Sequence, residues 1–119
     1  MKEKHPEIKN IVVEPLGSAV LSGCDPCHHK IQGIGEGFIP EVMDVDLADL
    51  IIKVSDKEAI NTARQMWREE GVTAGISGGA NVFASLQLGA DMNEGDVIVT
   101  IIADCGMKYL STKEFLHGV

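Results

Sequence analysis

Several common sequence features are missing from this chain, and each absence excludes a class of protein. Its 119 residues hold no apolar run near the roughly 20 residues that span a bilayer. The ten Lys and Arg are scattered and outweighed by 18 Asp and Glu, so the net charge of -8 argues against nucleic acid and anionic membranes as partners. The opening residues do not resemble a signal peptide, and three cysteines do not make a disulfide framework. A reducing cytoplasm is therefore the expected location.

What is present indicates a small globular α/β unit. Apolar residues make up 45% of the chain, and the length corresponds to one domain, expected to fill residues 1–119. Apolar runs rich in β-branched residues predict strands at residues 10–14, 49–54 and 96–102, of which the last is the strongest. Because helical segments separate the strands, we expect a mostly parallel sheet in a three-layer α/β sandwich.

Helix signals follow two of the predicted strands. Ser55 and Glu58 have the spacing of a capping box, apolar residues at helical spacing follow them, and Gly71 is placed to end that helix. Ser77 is predicted to cap a second helix. A last short helix is expected at residues 111–117.

Residues 29–40 form a glycine-rich segment in which three glycines alternate with other residues. Glycine tolerates positive φ and lets the backbone approach a ligand closely, so this segment is predicted to be a loop shaped for contact. Its pattern is Gly-x-Gly-x-Gly, which differs from the dinucleotide-binding Gly-x-Gly-x-x-Gly. From composition alone, a mobile surface loop is the alternative.

Residues 29–40, 70–80 and 104–112 resemble, in order and spacing, the active-site loop, the cofactor-ring segment and the closing turn of the cysteine synthase (O-acetylserine sulfhydrylase) family. The resemblance covers residues 8–115, nearly the whole chain. It implies the C-terminal part of a fold-type II enzyme that uses pyridoxal phosphate (PLP) and is related to the tryptophan synthase β fold. Family chains are longer, with a lysine-bearing N-terminal domain that has no counterpart here.

The resemblance also implies the residues of the site. The residues implied to border the cofactor are Ser77, Gly33, Asp104 and Cys105. Those implied to border the amino-acid substrate are Gln32, Ile34 and Gly35. Ser77 would hydrogen-bond the pyridine nitrogen of PLP, with ordinary helix capping as the alternative. For Cys105, a small buried hydrophobic side chain is the favoured alternative.

The activity implied is replacement of the acetate of O-acetylserine by sulfide to give L-cysteine, a transferase step of amino-acid biosynthesis. The Schiff-base lysine would lie in the N-terminal domain, so no catalytic residue is named, and the chain alone is not expected to act or to hold PLP stably. It would form a homodimer or join a complementing N-terminal half. The alternative is a non-catalytic binding or dimerisation module derived from this fold.

Residues 24–28 carry a Cys-x-x-Cys-His pattern. Attachment of haem c would need export, and a zinc or iron–sulfur site would need further ligands. Thioredoxin-like thiol pairs open a helix, whereas Pro26 lies in a glycine-rich loop. We expect a variable loop with free thiols and no bound metal; a small metal or redox protein is the third hypothesis.

Overall fold

The computed structural model describes residues 2–117, so Met1 and residues 118–119 of the predicted unit lie outside the described part. Its elements in chain order are β1 (Ile11–Pro15), β2 (Leu50–Val54), α1 (Asp56–Gln65), α2 (Ile76–Gly89) and α3 (Lys113–His117). Short 3-10 turns lie at Leu16–Ser18, Val20–Ser22, Val45–Leu47 and Gly106–Tyr109, and a π-helical turn lies at Met66–Glu70. The α/β class is as predicted.

The two strands pair in parallel, in a register that sets Pro15 opposite Val54. Both strands are rich in β-branched residues, which suit a pleated, half-buried surface. Their parallel pairing confirms the predicted sheet, and each strand lies within one residue of its predicted bounds. The carboxyl ends of both strands therefore meet at one edge, where an open parallel sheet places its ligands.

The start of α1 shows the predicted capping box. The Ser55 hydroxyl accepts a hydrogen bond from the Glu58 backbone N–H at 3.3 Å, and the Ser55 N–H donates to Glu58 Oε2 at 2.8 Å. The Ser55 hydroxyl also donates to Glu58 Oε2 at 2.6 Å. This hydrogen bond, and then the one from the Ser55 backbone N–H, lower the pKa of the Glu58 carboxyl. The helical path ends at Gly71, whose φ of 69° is the left-handed conformation expected of a helix-ending glycine.

Helices α1 and α2 pack unusually close to each other at Gly79. A Cβ added at Gly79 would lie 2.2 Å from the Ala59 carbonyl oxygen and 2.7 Å from the Ala63 backbone nitrogen. Only glycine fits there without moving one of the helices. The buried residues of the surrounding core are Ile31, Val54, Ala59, Ile60, Ala63, Ile76, Ala80, Ala84, Tyr109 and Phe115.

The start of α2 differs from the prediction. The helix begins at Ile76 and its N-cap is Gly75, so Ser77 lies inside the first turn and was wrongly predicted as the cap. Two contacts explain the shift by two residues. The Gly75 N–H donates to the Asp104 carbonyl at 3.1 Å, and the Ile76 side chain is buried in the core.

Residues 96–102, predicted to be the strongest strand, form no ladder with any residue that the structure describes. A strand needs a hydrogen-bonding neighbour, and the described part of the chain supplies none. Exposure nevertheless alternates with the period of a strand. Val97 and Val99 are 81% and 89% exposed, whereas Ile98 and Ile102 are 37% and 41% exposed.

The less exposed side of this segment lies on α2. Ile102 Cγ2 would be 3.1 Å from a Cβ at Gly78, and the Asn81 side-chain amide donates to the Ile101 carbonyl at 2.9 Å. The opposite, apolar side has no cover within residues 2–117. The sequence pattern thus predicts the side-chain alternation correctly but not the ladder.

Candidate functional site

The glycine-rich loop is fastened to the carboxyl edge of the sheet through its first residues. The Lys30 backbone N–H donates to Asp56 Oδ1 at 2.9 Å, which ties the loop to the start of α1. The Ile31 side chain is fully buried in the core. These two contacts place residues 32–35 next to the carboxyl ends of the strands, where Gly35 packs against Pro15.

His29 fixes the other side of this loop. Its Nδ1 accepts the Ile31 backbone N–H at 3.2 Å, so Nδ1 carries no proton. The proton is therefore on Nε2, which donates to the Gly35 carbonyl at 2.9 Å. Sequence reasoning missed this role of His29, and the available signal was a histidine as the first residue of the glycine-rich segment.

Gly35 is required by its conformation and by its neighbours. Its φ is 68°, and a Cβ would lie 2.5 Å from Pro15 Cγ and 2.8 Å from His29 Nε2. The loop therefore sits directly on the end of β1. Gln32 and Gly33 are exposed at its tip, and Ile34 is half-buried against the core.

A buried carboxylate, also missed from the sequence, shapes the turn beside this loop. Glu14 is 3% exposed at the end of β1, and its carboxylate accepts the Leu21 N–H at 3.0 Å and the Ser22 hydroxyl. Buried carboxylates are costly unless hydrogen-bonded, so these contacts fix residues 20–22 against the strand. The available signal was a lone charge in an apolar run.

A second group of predicted residues surrounds the start of α2. A Cβ at Gly75 would lie 1.8 Å from Asp104 Oδ1, so the Asp104 carboxylate sits against the N-cap. Asp104 Oδ2 accepts the Tyr109 hydroxyl at 2.9 Å and lies 2.6 Å from Lys108 Nζ. Asp104 Oδ1 is buried and has no hydrogen-bond partner among residues 2–117.

These contacts change the acidity of both Asp104 partners. Burial, and then the hydrogen bond to Asp104, raise the pKa of the Tyr109 hydroxyl. The hydrogen bond to Asp104 also raises the pKa of Lys108. Both side chains therefore stay protonated, and each directs a proton to Oδ2 while Oδ1 stays unused.

Ser77 presents an unused hydroxyl in the first turn of α2. The residue is 7% exposed, and its hydroxyl has no hydrogen-bond partner in the described part of the chain. By contrast, the Ser85 hydroxyl in the same helix donates to the Asn81 carbonyl at 2.8 Å. Only Asp104 Oδ1 is both buried and without a partner among residues 2–117, so the Ser77 hydroxyl keeps some access to solvent and has capacity for a polar ligand.

Cys105 differs from the expected buried position, because it is exposed. A short antiparallel bridge to Ala74 places it beside Thr73, whose hydroxyl lies 3.5 Å from the thiol. This contact, and then the Met107 backbone N–H, lower the pKa of the Cys105 thiol. The bridge brings the residues after 96–102 next to the start of α2.

The structure therefore forms two groups of predicted residues. Ile31 and Ile76 belong to one apolar core, but no backbone–backbone hydrogen bond joins the glycine-rich loop to the start of α2 within residues 2–117. An open groove of ≈ 710 Å³ lies elsewhere, between α1 and α2, and no predicted site residue lines it. No group of three or more metal-binding side chains is found among the described residues.

The chain belongs to the pyridoxal-phosphate dependent enzyme family, whose sequence pattern matches residues 1–104. It is similar to the cysteine synthase of Staphylococcus aureus strain N315, at 41% identity over 112 residues, which are 94% of this chain and 36% of that protein. The predicted family resemblance is thereby confirmed.

Solved structures show the same relationship. Cysteine synthase (OASS) of Entamoeba histolytica matches with a TM-score of 0.90 and 44% identity over 93% of this chain and 33% of that one. The O-acetylserine dependent cystathionine beta-synthase of Helicobacter pylori matches with a TM-score of 0.81 and 38% identity over 92% of this chain and 36% of that one. The chain thus spans about a third of the length of these relatives. No helix within residues 2–117 is long and apolar enough to cross a membrane.

Proposed function

We propose that this chain is the C-terminal part of a PLP-dependent enzyme that replaces the acetate of O-acetylserine by sulfide to give L-cysteine. The observation that carries the proposal is the Ser77 hydroxyl in the first turn of α2, which has no hydrogen-bond partner among residues 2–117, in a chain 41% identical to a cysteine synthase. The whole activity needs the remainder of the fold, and no residue of this chain is assigned as catalytic.

The residues around α2 fit a cofactor with a ring nitrogen. PLP, when bound, supplies an electron sink for chemistry at the α- and β-carbons of an amino acid. The Ser77 hydroxyl would donate to the ring nitrogen, because a hydroxyl has a proton to give and no other acceptor takes it here. Gly33, Asp104 and Cys105 are proposed to border the same ring.

A neutral hydroxyl at this position has a chemical consequence. Because Ser77 has no charge, it leaves the ring nitrogen largely unprotonated and weakens the electron sink. A weaker sink favours elimination and replacement at the β-carbon over competing reactions. The proposed class of reaction therefore follows from the type of side chain at residue 77.

The glycine-rich loop is proposed to hold the amino-acid substrate. Gln32 lies exposed at its tip, where its side-chain amide can hydrogen-bond a carboxylate. Ile34 and Gly35 lie beneath it, held through His29 and the end of β1. An anchored base with an open glycine tip allows the tip to close over a small ligand.

The exposed apolar side of residues 96–102 supports the proposal that further parts of the fold pack against this chain. Val97, Val99 and Ile101 are 81%, 89% and 69% exposed, which is unusual for a β-branched run. We propose that the part of the fold present in the longer relatives covers this side. A homodimer and a cytoplasmic location are proposed on the family resemblance and on the three unlinked cysteines.

The second candidate function is a non-catalytic binding or dimerisation module. The observation that favours it is the same uncovered apolar segment, which can pair with another chain. Since both candidates allow a homodimer, activity measured when the rest of the fold is supplied distinguishes the two. A stable homodimer that shows no activity when the rest of the fold is supplied would favour the module.

The experiment is a chimera in which residues 1–119 replace the matching third of the Staphylococcus aureus cysteine synthase. It should bind PLP and form cysteine from O-acetylserine and sulfide. Ser77→Ala should change the absorbance of the bound cofactor and lower turnover. Ser85→Ala, the matched change further along α2, should leave both unaffected. Equal effects of the two changes, or lower stability alone, would contradict the cofactor role of Ser77.

A further inference from the structure

Two cysteines stand beside the glycine-rich loop without a role in the proposed function. Cys24 and Cys27 are both exposed and both free. They are three residues apart, and Pro26 lies between them. No group of three or more metal-binding side chains is found among residues 2–117. Cys24 and Cys27 therefore have the chemistry of a pair of thiols, which can form a disulfide with each other.

The backbone holds the two cysteines at neighbouring anchor points. The Cys24 N–H donates to the Ala19 carbonyl at 3.0 Å, and the Cys27 N–H donates to the Ser18 hydroxyl at 3.2 Å. Ser18 and Ala19 are adjacent and both are buried. Both ends of the short segment are therefore anchored on two adjacent buried residues, and a disulfide between Cys24 and Cys27 would close a loop with only two residues between them.

The segment between the cysteines touches the glycine-rich loop. Pro26 Cβ lies 3.4 Å from the position of a Cβ at Gly37, whose φ is 82°. Two residues earlier, the Gly35 carbonyl is held by His29, which follows Cys27 closely in sequence. The cysteine segment therefore lies against the loop at Pro26 and is followed in sequence by His29, which holds the Gly35 carbonyl.

We propose that Cys24 and Cys27 form a reversible dithiol–disulfide site that controls the mobility of the glycine-rich loop. One thiolate attacks a sulfur of a low-molecular-weight disulfide such as glutathione disulfide, forming a mixed disulfide and releasing one thiol. The second cysteine attacks the mixed disulfide and releases the second thiol. The protein loses two electrons and two protons, and one small disulfide becomes two thiols.

Cys105 provides an internal control. It lies in the turn next to Thr73 and has no second cysteine at a comparable spacing in sequence. With the same oxidant it should form only a mixed disulfide. The thiol pair, in contrast, should end as an internal link without bound glutathione.

The test equilibrates the intact protein with glutathione and glutathione disulfide at graded ratios. Peptide mapping by mass spectrometry should find a Cys24–Cys27 link with the loss of two hydrogens. Hydrogen exchange of the peptide covering residues 33–37 should slow about tenfold in the linked form, because the cross-link restricts the opening of the loop.

The variants keep the test decisive. Cys24→Ser should give a glutathione adduct at Cys27 and leave exchange at residues 33–37 unchanged. Cys105→Ser should still form the Cys24–Cys27 link and slow the exchange of residues 33–37 as in the parent protein. Mixed disulfides on both Cys24 and Cys27 of the parent, without a link, would overturn the proposal. A link that leaves the exchange of residues 33–37 unchanged would overturn the control of the loop.

Discussion

Replacing Gly35 with alanine should destabilise the protein far more than the same change at Gly33. Both glycines have positive φ, 68° and 91°, so each substitution costs about 1 kcal/mol in backbone strain. At Gly33 no atom lies within 4 Å of the new Cβ, whereas at Gly35 it would meet Pro15 Cγ at 2.5 Å and His29 Nε2 at 2.8 Å. Such overpacking adds about 1–3 kcal/mol, giving a total of about 3 kcal/mol for Gly35→Ala.

Urea unfolding followed by the fluorescence of Trp67 measures this difference. Trp67 is the single tryptophan, and its indole N–H donates to the Ala74 carbonyl at 2.8 Å, so its emission reports the loss of tertiary structure. With a slope of about 2 kcal/mol per molar urea, the midpoint should fall by about 0.5 M for Gly33→Ala and about 1.5 M for Gly35→Ala. Equal shifts of the two midpoints would refute the packing of Gly35 against the end of β1.

The remaining predictions concern helix packing, acid stability and the cofactor. Gly79→Ala should lower the free energy of unfolding by about 2 kcal/mol because backbone atoms of α1 block the new methyl group. Gly89→Ala, whose Cβ would meet only Ile98 Cδ1 at 3.6 Å, should be neutral or stabilise by up to about 1 kcal/mol, and thermal melting compares the two. Because the pKa of Glu58 is lowered from its ordinary value of 4.5, its ionised carboxylate adds to the free energy of unfolding above pH 4.5, and this contribution is lost as the pH falls through the lowered pKa. Ser55→Ala should reduce this dependence of the melting temperature on pH, measured from neutral to acid pH. Residues 1–119 alone should form no stoichiometric borohydride-reducible lysine adduct with PLP, and mapping of one fully modified lysine would contradict this.

Local sequence signals predicted the regular elements well. The capping box at Ser55 and Glu58, the ending at Gly71 and the two parallel strands all depend on residues close in sequence or on simple apolar patterning. The start of α2 at Ile76, with Gly75 as its N-cap, could not be predicted this way. Its position depends on Asp104, far along the chain, and the hydroxyl of Ser77 looked like a better cap than a glycine.

The contacts within the candidate site could not be predicted from the sequence, and its membership stays a prediction. The glycine-rich loop was recognised as a loop, yet the tautomer of His29 and the buried carboxylate of Glu14 arise from tertiary contacts. The strand expected at residues 96–102 failed for a related reason. Its β-branched residues encode a strand, but the ladder needs a neighbour that residues 2–117 do not supply.

The distance between Ser77 Oγ and the ring nitrogen of PLP tests the central claim most directly. It is measured in a crystal structure of the complete enzyme, or of the chimera with the Staphylococcus aureus cysteine synthase, with the cofactor bound. The account predicts a hydrogen bond of about 2.6–3.2 Å, made by a hydroxyl that has no other partner. A ring nitrogen out of reach of Ser77, or paired with a charged side chain instead, would contradict the account.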